Sequence, residues 1–452
     1  MKNNHTTSMT EGSPTLLLAL FALPMLIGNL FQQTYNLMDS VIVGRFVGSS
    51  ALAAIGATGS VTFLFFSICN GIGSGCGVVT AQLFGSGDPI RTKRAIANSS
   101  YIMFIASFVM SVAAYIAAPW MLGVMDTPAD ILPDAILYMR INCIGVPLVA
   151  VYNYVSSMLR ALGDSRTPLY FLIFACIINI ALDLLFVCVF GMGVMGAAVA
   201  TIIAQLIAGA GCLAYVLRKN PYFLFRRQDF KPDAQIIVKS VKIGIPLAMQ
   251  WSMIAVSTTV LQSFINSFGT AAVAANTAIS RIEQLVHQPY GSLSTALATY
   301  AGQNYGAGKI KRVAAGLRHG MVMSAVFSLL MLGVMQLWAD QIIGIFVSDE
   351  AVIQIGAYGL QLTSWFYVFL ALINMSRGIL NGIGDALFAF INGVVEIGCR
   401  IALPAALILI PNIGINSIWW TTALTWVISS LFCLLRYTRW KRKAYRTQSD
   451  PV

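Results

Sequence analysis

A chain of 452 residues that is 58% hydrophobic and only 10% charged sits far below the roughly 25% charge content of soluble domains, which excludes an ordinary water-soluble globular protein. The formal net charge of +11 would suggest nucleic acid in a soluble protein. Here the basic residues lie in loops between apolar blocks, where they set membrane topology, and no nucleic-acid partner is expected.

The apolar residues form continuous blocks of about twenty or more, the length a helix needs to cross roughly 30 Å of hydrocarbon. They do not form the short alternating segments of a barrel. The sequence therefore predicts an all-α polytopic membrane protein. In chain order, twelve spans are expected at 15–43, 51–83, 93–118, 136–161, 167–190, 194–217, 241–267, 271–300, 314–340, 355–380, 387–410 and 414–436. Pro24, Pro147 and Pro404 lie inside blocks and are expected to bend them. The first block is too long for a signal-peptide core, and no small-residue cleavage site follows it, so no cleavable leader is expected. The eight cysteines are scattered through the spans without a C-x-x-C pair. They read as small buried residues, neither disulfides nor metal ligands.

Basic loops alternate with neutral or acidic ones. Arg91, Lys93 and Arg94 follow the second span, Arg160 and Arg166 flank the turn after the fourth, and Arg218, Lys219, Arg226, Arg227 and Lys231 follow the sixth. Lys309, Lys311 and Arg312 follow the eighth, and a basic tail runs from Arg436. Positive loops stay in the cytoplasm, so both termini are expected there, in the cell membrane.

A shift of 221 residues aligns the two halves. Gly48 falls on Gly269, "QLFGSG" meets "QNYGAG", Gly163 and Asp164 fall on Gly384 and Asp385, and Gly193 falls on Gly414. The chain reads as two six-helix repeats: an N-lobe over 1–217, a cytoplasmic linker over 218–240, a C-lobe over 241–436, and a basic cytoplasmic tail over 437–452. Parallel repeats of this kind are common in transporters. "GQNYGAGKI" fails as a phosphate loop, because Gln303 takes the first glycine position and Ile310 stands where Ser or Thr belongs. "GIGSGCG" lies inside a span, where small residues allow close packing or a hinge. Neither an ATP motif nor a metal or nucleophile constellation is evident. No enzyme and no cofactor is expected, and active transport would draw on an ion gradient.

Asp39 and Asp183 lie within apolar surroundings in the first half. A charge at that depth costs at least roughly 2.5–3.5 kcal/mol, so such residues usually line a pathway or meet a partner. Gln32 and Tyr35 share a helix face with Asp39, and Asn179 shares one with Asp183. Thr201 and Asn153 are polar within apolar runs. A carboxylate in such a site can hold H⁺, or Na⁺ if other oxygens complete a shell. At the same shift Asn374 and Thr422 match Asn153 and Thr201, but Val260 and Pro404 replace the aspartates. The second half carries ionisable groups elsewhere. Glu283 and His287, four apart, form a candidate secondary proton or substrate site. Glu396 and Arg400 are spaced to neutralise each other. Asp164 and Asp385 are expected to cap helices, and Arg160 and Arg377 to snorkel to the cytoplasmic surface.

The stretch "LPMLIGNLFQQTYNLMDSVIVGRFVGSSALAAIG", the paired "QLFGSG" and "QNYGAG" segments and "LRALGDSRTP" resemble the multidrug and toxic compound extrusion (MATE) family over about residues 14 to 436. The resemblance implies two six-helix lobes around a central cavity. It implies secondary active export of organic, often cationic, compounds in exchange for H⁺ or Na⁺. It places the cation site at Asp39, Asn179, Asp183, Thr201 and Asn153, the substrate cavity at Gln32 and Tyr35, and the helix 1 bend at Pro24. Sodium-dependent NorM-like members carry carboxylates where Ile254 and Leu370 stand here, so the chain looks closer to the DinF-like branch. Small organic substrates and the lipid bilayer are the expected partners, with the chain working as a monomer. A lipid-linked saccharide flippase is the nearest alternative, but the first-half spans lack a mid-membrane cation to receive a charged headgroup. A channel would want a ring of charges or a filter loop.

The alternation of basic loops generates one test. A single cysteine placed at Gln228 in a cysteine-free background should be labelled only from the cytoplasmic side, and labelling from outside would overturn the topology.

Overall fold

A computed structural model describes residues 6–125, 127–411 and 413–449. Among the described residues there are thirteen α-helices and no strand. They are α1 (Pro14–Phe46), α2 (Ser49–Gly85), α3 (Pro89–Val124), α4 (Leu132–Ala161), α5 (Arg166–Asp183), α6 (Gly193–Lys219), α7 (Ala234–Asn266), α8 (Thr270–Gly306), α9 (Ile310–Gly344), α10 (Glu350–Ser364), α11 (Tyr367–Ile383), α12 (Ala386–Leu407) and α13 (Ser417–Ser449). Ten helical segments are long and apolar enough to cross a membrane, or eleven when α10 and α11 count as one bent span. The chain is a multi-pass membrane protein. Helix α8 falls outside that set because Arg281, Glu283, Gln284, His287 and Gln288 interrupt its apolar run.

Local chemistry fixes the ends. Asp88 caps α3, accepting from the N–H groups of Ile90 (3.1 Å) and Arg91 (2.9 Å), with Pro89 at the first helical position. Asp164 caps α5 as expected, accepting from Arg166 and Thr167 N–H at 3.0 Å. Asp385 does not do the same. Its carboxylate accepts from Arg436 Nε at 2.7 Å, a stronger charged partner on α13. The repeat-related Gly48 and Gly269 precede α2 and α8 with φ of +124° and +88°, a region that a side chain would strain.

Two predicted spans are interrupted. The span at 355–380 breaks between Ser364 and Tyr367 with a bend of 54°. No proline causes it. The Gln361 carbonyl accepts instead from Gln336 Nε2 (2.8 Å) and Ser364 Oγ (2.7 Å), so side chains enter the helical ladder. The span at 167–190 changes pitch at Asp183 into a π-helical segment, Leu184–Val189. Such segments are frequent at functional sites.

The chain divides into two compact units. The first comprises Met1–Ser8 and Leu23–Ala248, the second Met9–Ala22 and Met249–Val452. The division of α1 falls at Leu23, beside the buried Pro24, and that of α7 falls just after Pro246. In the first unit, α2 and α7 approach through glycine. A Cβ at Gly71 would lie 2.3 Å from Ala248 Cα, and one at Gly75 would lie 2.5 Å from Gly244 Cα. The "GIGSGCG" run is thus a packing seam. The linker makes two short 3₁₀ turns, Pro221–Phe223 and Arg227–Phe230, and docks on α3. Asn98 binds both Lys231 O and Asp233 N–H, and the Tyr101 hydroxyl donates to Phe230 O.

In the second unit the segment before α1 is held by α8 and α9. Met9 N–H donates to Gln303 Oε1 at 2.7 Å, and Asn304 Nδ2 donates to Met9 O at 3.0 Å. Arg377 does not snorkel. It pairs with Glu396, both side chains being 11% exposed, so Glu396 is neutralised from α11 and not by Arg400 one turn away. All eight cysteines are free.

Two stability predictions follow from this packing. Gly75→Ala should cost about 1–3 kcal/mol, because backbone on both sides must shift, whereas Gly59→Ala on the same helix, with nothing within 4 Å, should not destabilise. Thermal unfolding of the purified proteins compares them. Glu396→Gln should cost about 3–5 kcal/mol by leaving a buried guanidinium alone, and Arg377→Met/Glu396→Met should recover much of that loss in the same assay.

Candidate cation site

The first unit gathers polar side chains from four helices. Asp39 comes from α1 and is 8% exposed; Asp183, at the α5–π junction, is 0% exposed. The two carboxylates interact electrostatically. Asn179, one turn before Asp183, donates through Nδ2 to Thr201 Oγ1 on α6 at 3.3 Å. Tyr35, one turn before Asp39, lies beside Thr201 and within electrostatic reach of both aspartates. Asp39 Oδ1 is buried without a hydrogen-bond partner, and no ion pair among the described residues involves Asp39.

The predicted residues therefore come together with two exceptions. Asn153 lies half-buried on α4, and no hydrogen bond ties it to the cluster. Gln32 stands exposed one turn before Tyr35 and joins no polar contact of the cluster. In their place α4 contributes Tyr138 and Asn142, which the sequence reading missed. Asn142 donates to Tyr138 O at 2.9 Å, and Tyr138 faces Asp39, Tyr35 and Asp183. A signal was present. Tyr35/Asp39, Tyr138/Asn142 and Asn179/Asp183 are all polar pairs spaced by four inside apolar helices. Asn153 is eleven residues beyond Asn142, about 16 Å along the helix.

Two carboxylates with amide and hydroxyl oxygens around them suit a proton or a hard cation such as Na⁺. Among the described residues no three His, Cys, Asp or Glu side chains cluster as a metal site would need.

The matching positions of the second unit hold no carboxylate. Asn374 donates to Leu370 O and Thr422 to Ile418 O, each within its own helix. Glu283 on α8 stands instead beside Thr363 of α10 and within electrostatic range of Arg400 on α12. His287, one turn further along α8, faces the Trp426 ring at 6.3 Å and the same Arg400. The Tyr367 hydroxyl is buried beside Glu283.

Comparisons with known proteins agree with this architecture. The chain is 29% identical over 437 residues to a probable multidrug resistance protein, YpnP, of Bacillus subtilis, covering 96% of this chain and 97% of that one. It is 22% identical over 419 residues to the multidrug export protein MepA of Staphylococcus saprophyticus, covering 92% and 91%. A solved outward-facing multidrug resistance MATE family transporter of the MOP superfamily superimposes with a TM-score of 0.90 at 22% identity, over 99% of this chain and 100% of that one. A MATE crystal structure in the bent conformation gives 0.89 at 21% identity over the whole of both chains. The MatE family model matches residues 24–185 and 246–405, one segment in each half. With well over half its length matched, and with helices and polar cluster built as described, the chain belongs to the MatE family of membrane transporters.

Proposed function

We propose that this chain is a secondary active multidrug exporter that exchanges organic, often cationic, compounds for H⁺ or Na⁺ by alternating access. The observation that carries the reading is the pairing of Asp39 with Asp183 inside one unit, with no ion pair fixed on Asp39. Negative charge held without a fixed countercharge is what a movable cation requires. The export names of the relatives support the cargo class.

In this reading Asp39, Asp183, Asn179 and Thr201 bind the coupling ion, with Tyr35 and Tyr138 beside them. Asn153 and Gln32 belong to the path that the cluster controls. The twelfth span is α8, with Glu283 and His287 half-buried in its polar middle. The two halves act as two six-helix repeats, and both termini and the linker are cytoplasmic. Ile254 and Leu370, where the NorM-like branch carries carboxylates, favour the DinF-like branch. One chain suffices for transport, without a cofactor. A saccharide-lipid flippase is disfavoured because the charge of the cluster is negative.

Cargo and ion must favour different states of the protein, since a ligand that binds both equally shifts nothing. Asp39→Asn and Asp183→Asn should therefore each reduce ethidium efflux from everted vesicles to near background at matched protein levels, and should remove its dependence on imposed pH or Na⁺ gradients. Efflux at the wild-type rate with its ion dependence intact would rule the cluster out as the coupling site.

A further inference from the structure

The linker folds back along α3 and meets it at a definite depth. Asn98 binds Lys231 O and Asp233 N–H, Tyr101 donates to Phe230 O, and the Tyr101 and Phe230 rings lie 6.3 Å apart. Tyr101 is about 18 Å along the helix from Pro89. It marks a change of surface. Before it, the solvent-accessible residues of α3 include Arg91, Lys93 and Arg94; beyond it come Phe104, Ile105, Phe108 and Val109, each more than half exposed. Apolar side chains left uncovered on a helix that can span a membrane face hydrocarbon. Tyr101 and Phe230 therefore stand where hydrocarbon gives way to headgroups, the level at which aromatic rings gather.

At this level the linker sorts its charges by sign. Asp229 is buried and accepts from Arg226 N–H at 2.7 Å. Asp233 accepts from the N–H groups of Gln235 and Ile236 at the start of α7 and pairs with Arg94 at 3.7 Å. Arg226, Arg227 and Lys231 stay exposed, and no ion pair among the described residues takes them. Phe230 lies on the same turn, its ring 5.1 Å from that of Phe225, and is still 39% exposed. Topology needs basic residues in a loop but is indifferent to how the loop folds. It does not account for a turn that commits both carboxylates to backbone N–H groups and leaves three cations beside an outward phenylalanine. A soluble polyanion would meet the cations and gain nothing from Phe230. A lipid offers a phosphate and an acyl chain at one depth.

We infer that Arg226, Arg227, Phe230 and Lys231 form a docking surface for the anionic phospholipids of the surrounding membrane. The cations take the headgroup phosphate, and Phe230 enters beside the acyl chains.

A bimane on a single cysteine placed at Gln228, in a cysteine-free full-length protein, reports which lipid lies beside the turn. The protein is reconstituted in mixtures of phosphatidylglycerol and phosphatidylcholine, with one or the other brominated high on its acyl chains so that it quenches the label. Phosphatidylglycerol should be preferred at the label about fivefold, the worth of one basic residue at an anionic surface. Arg227→Gln/Lys231→Gln should bring that ratio close to one. Arg218→Gln/Lys219→Gln, which removes the same charge at the end of α6, should leave it unchanged. Phe230→Ser should reduce quenching by both lipids and keep their ratio. The surface is overturned by equal quenching in the wild type, by equal loss in the two double variants, or by undiminished quenching in Phe230→Ser. It is overturned as a lipid surface if soluble sn-glycerol 3-phosphate removes the preference, which would make it a site for free phosphate esters.

Discussion

Inside hydrocarbon every polar group must find its partner within the protein, and the arrangement of this chain follows from how each group does so. Hydroxyls solve the problem locally. Ser67, Ser99, Thr421 and Thr425 donate to carbonyls three or four residues back on their own helices, and need nothing from elsewhere. Carboxylates and guanidiniums cannot, because their charge needs a partner of opposite sign. Where that partner is built in, as with Arg377 and Glu396, the result is a fixed packing element. Where it is not, as at Asp39, the carboxylate stands without a built-in countercharge, which is the ground of the coupling role proposed for it.

The duplication gives each half the same frame and a different charge. Gln82 and Gln303 correspond, and each holds chain at or just before the first helix of a half. Gln82 accepts from Lys239 Nζ at 2.8 Å near the start of α7, and Gln303 accepts from Met9 N–H just before α1. The grip is equivalent although the donors are a side chain in one case and the backbone in the other. The division of α1 and α7 between the two compact units, each beside a proline, repeats the same pattern.

The sequence displayed what local chemistry decides. Hydrophobic block length gave the helices, and turn glycines such as Gly48 and Gly269 gave the repeat, because both depend only on residues close in sequence. The Asp39, Asn179, Asp183 and Thr201 cluster was legible because polar residues are costly inside apolar helices. What stayed hidden depends on partners from distant helices. The α10–α11 break needs Gln336 on α9 to reach the Gln361 carbonyl. The partner of Glu396 is Arg377, on another helix, although Arg400 is nearer in sequence. Tyr138 was passed over because tyrosine fits an apolar helix without comment, and its meaning appears only when Asp39 and Asp183 stand opposite.

The difference in charge between the halves bears on the division of labour proposed for them. An ion site that cycles must tolerate both its loaded and its empty form. In the first unit, a proton or Na⁺ on the aspartate pair would lower a negative charge toward neutrality, and its release would restore a charge that the surrounding amide and hydroxyl groups can solvate in part. In the second unit Arg377 cancels Glu396, and Glu283 lies within electrostatic range of Arg400. Protonating a carboxylate there would strand a buried guanidinium, which is costlier than the state it left. Membrane potential offers only about 2.3 kcal/mol per charge per 100 mV, too little to strand such a charge in every cycle. The second set of charges is therefore poorly suited to being filled and emptied by a driving ion.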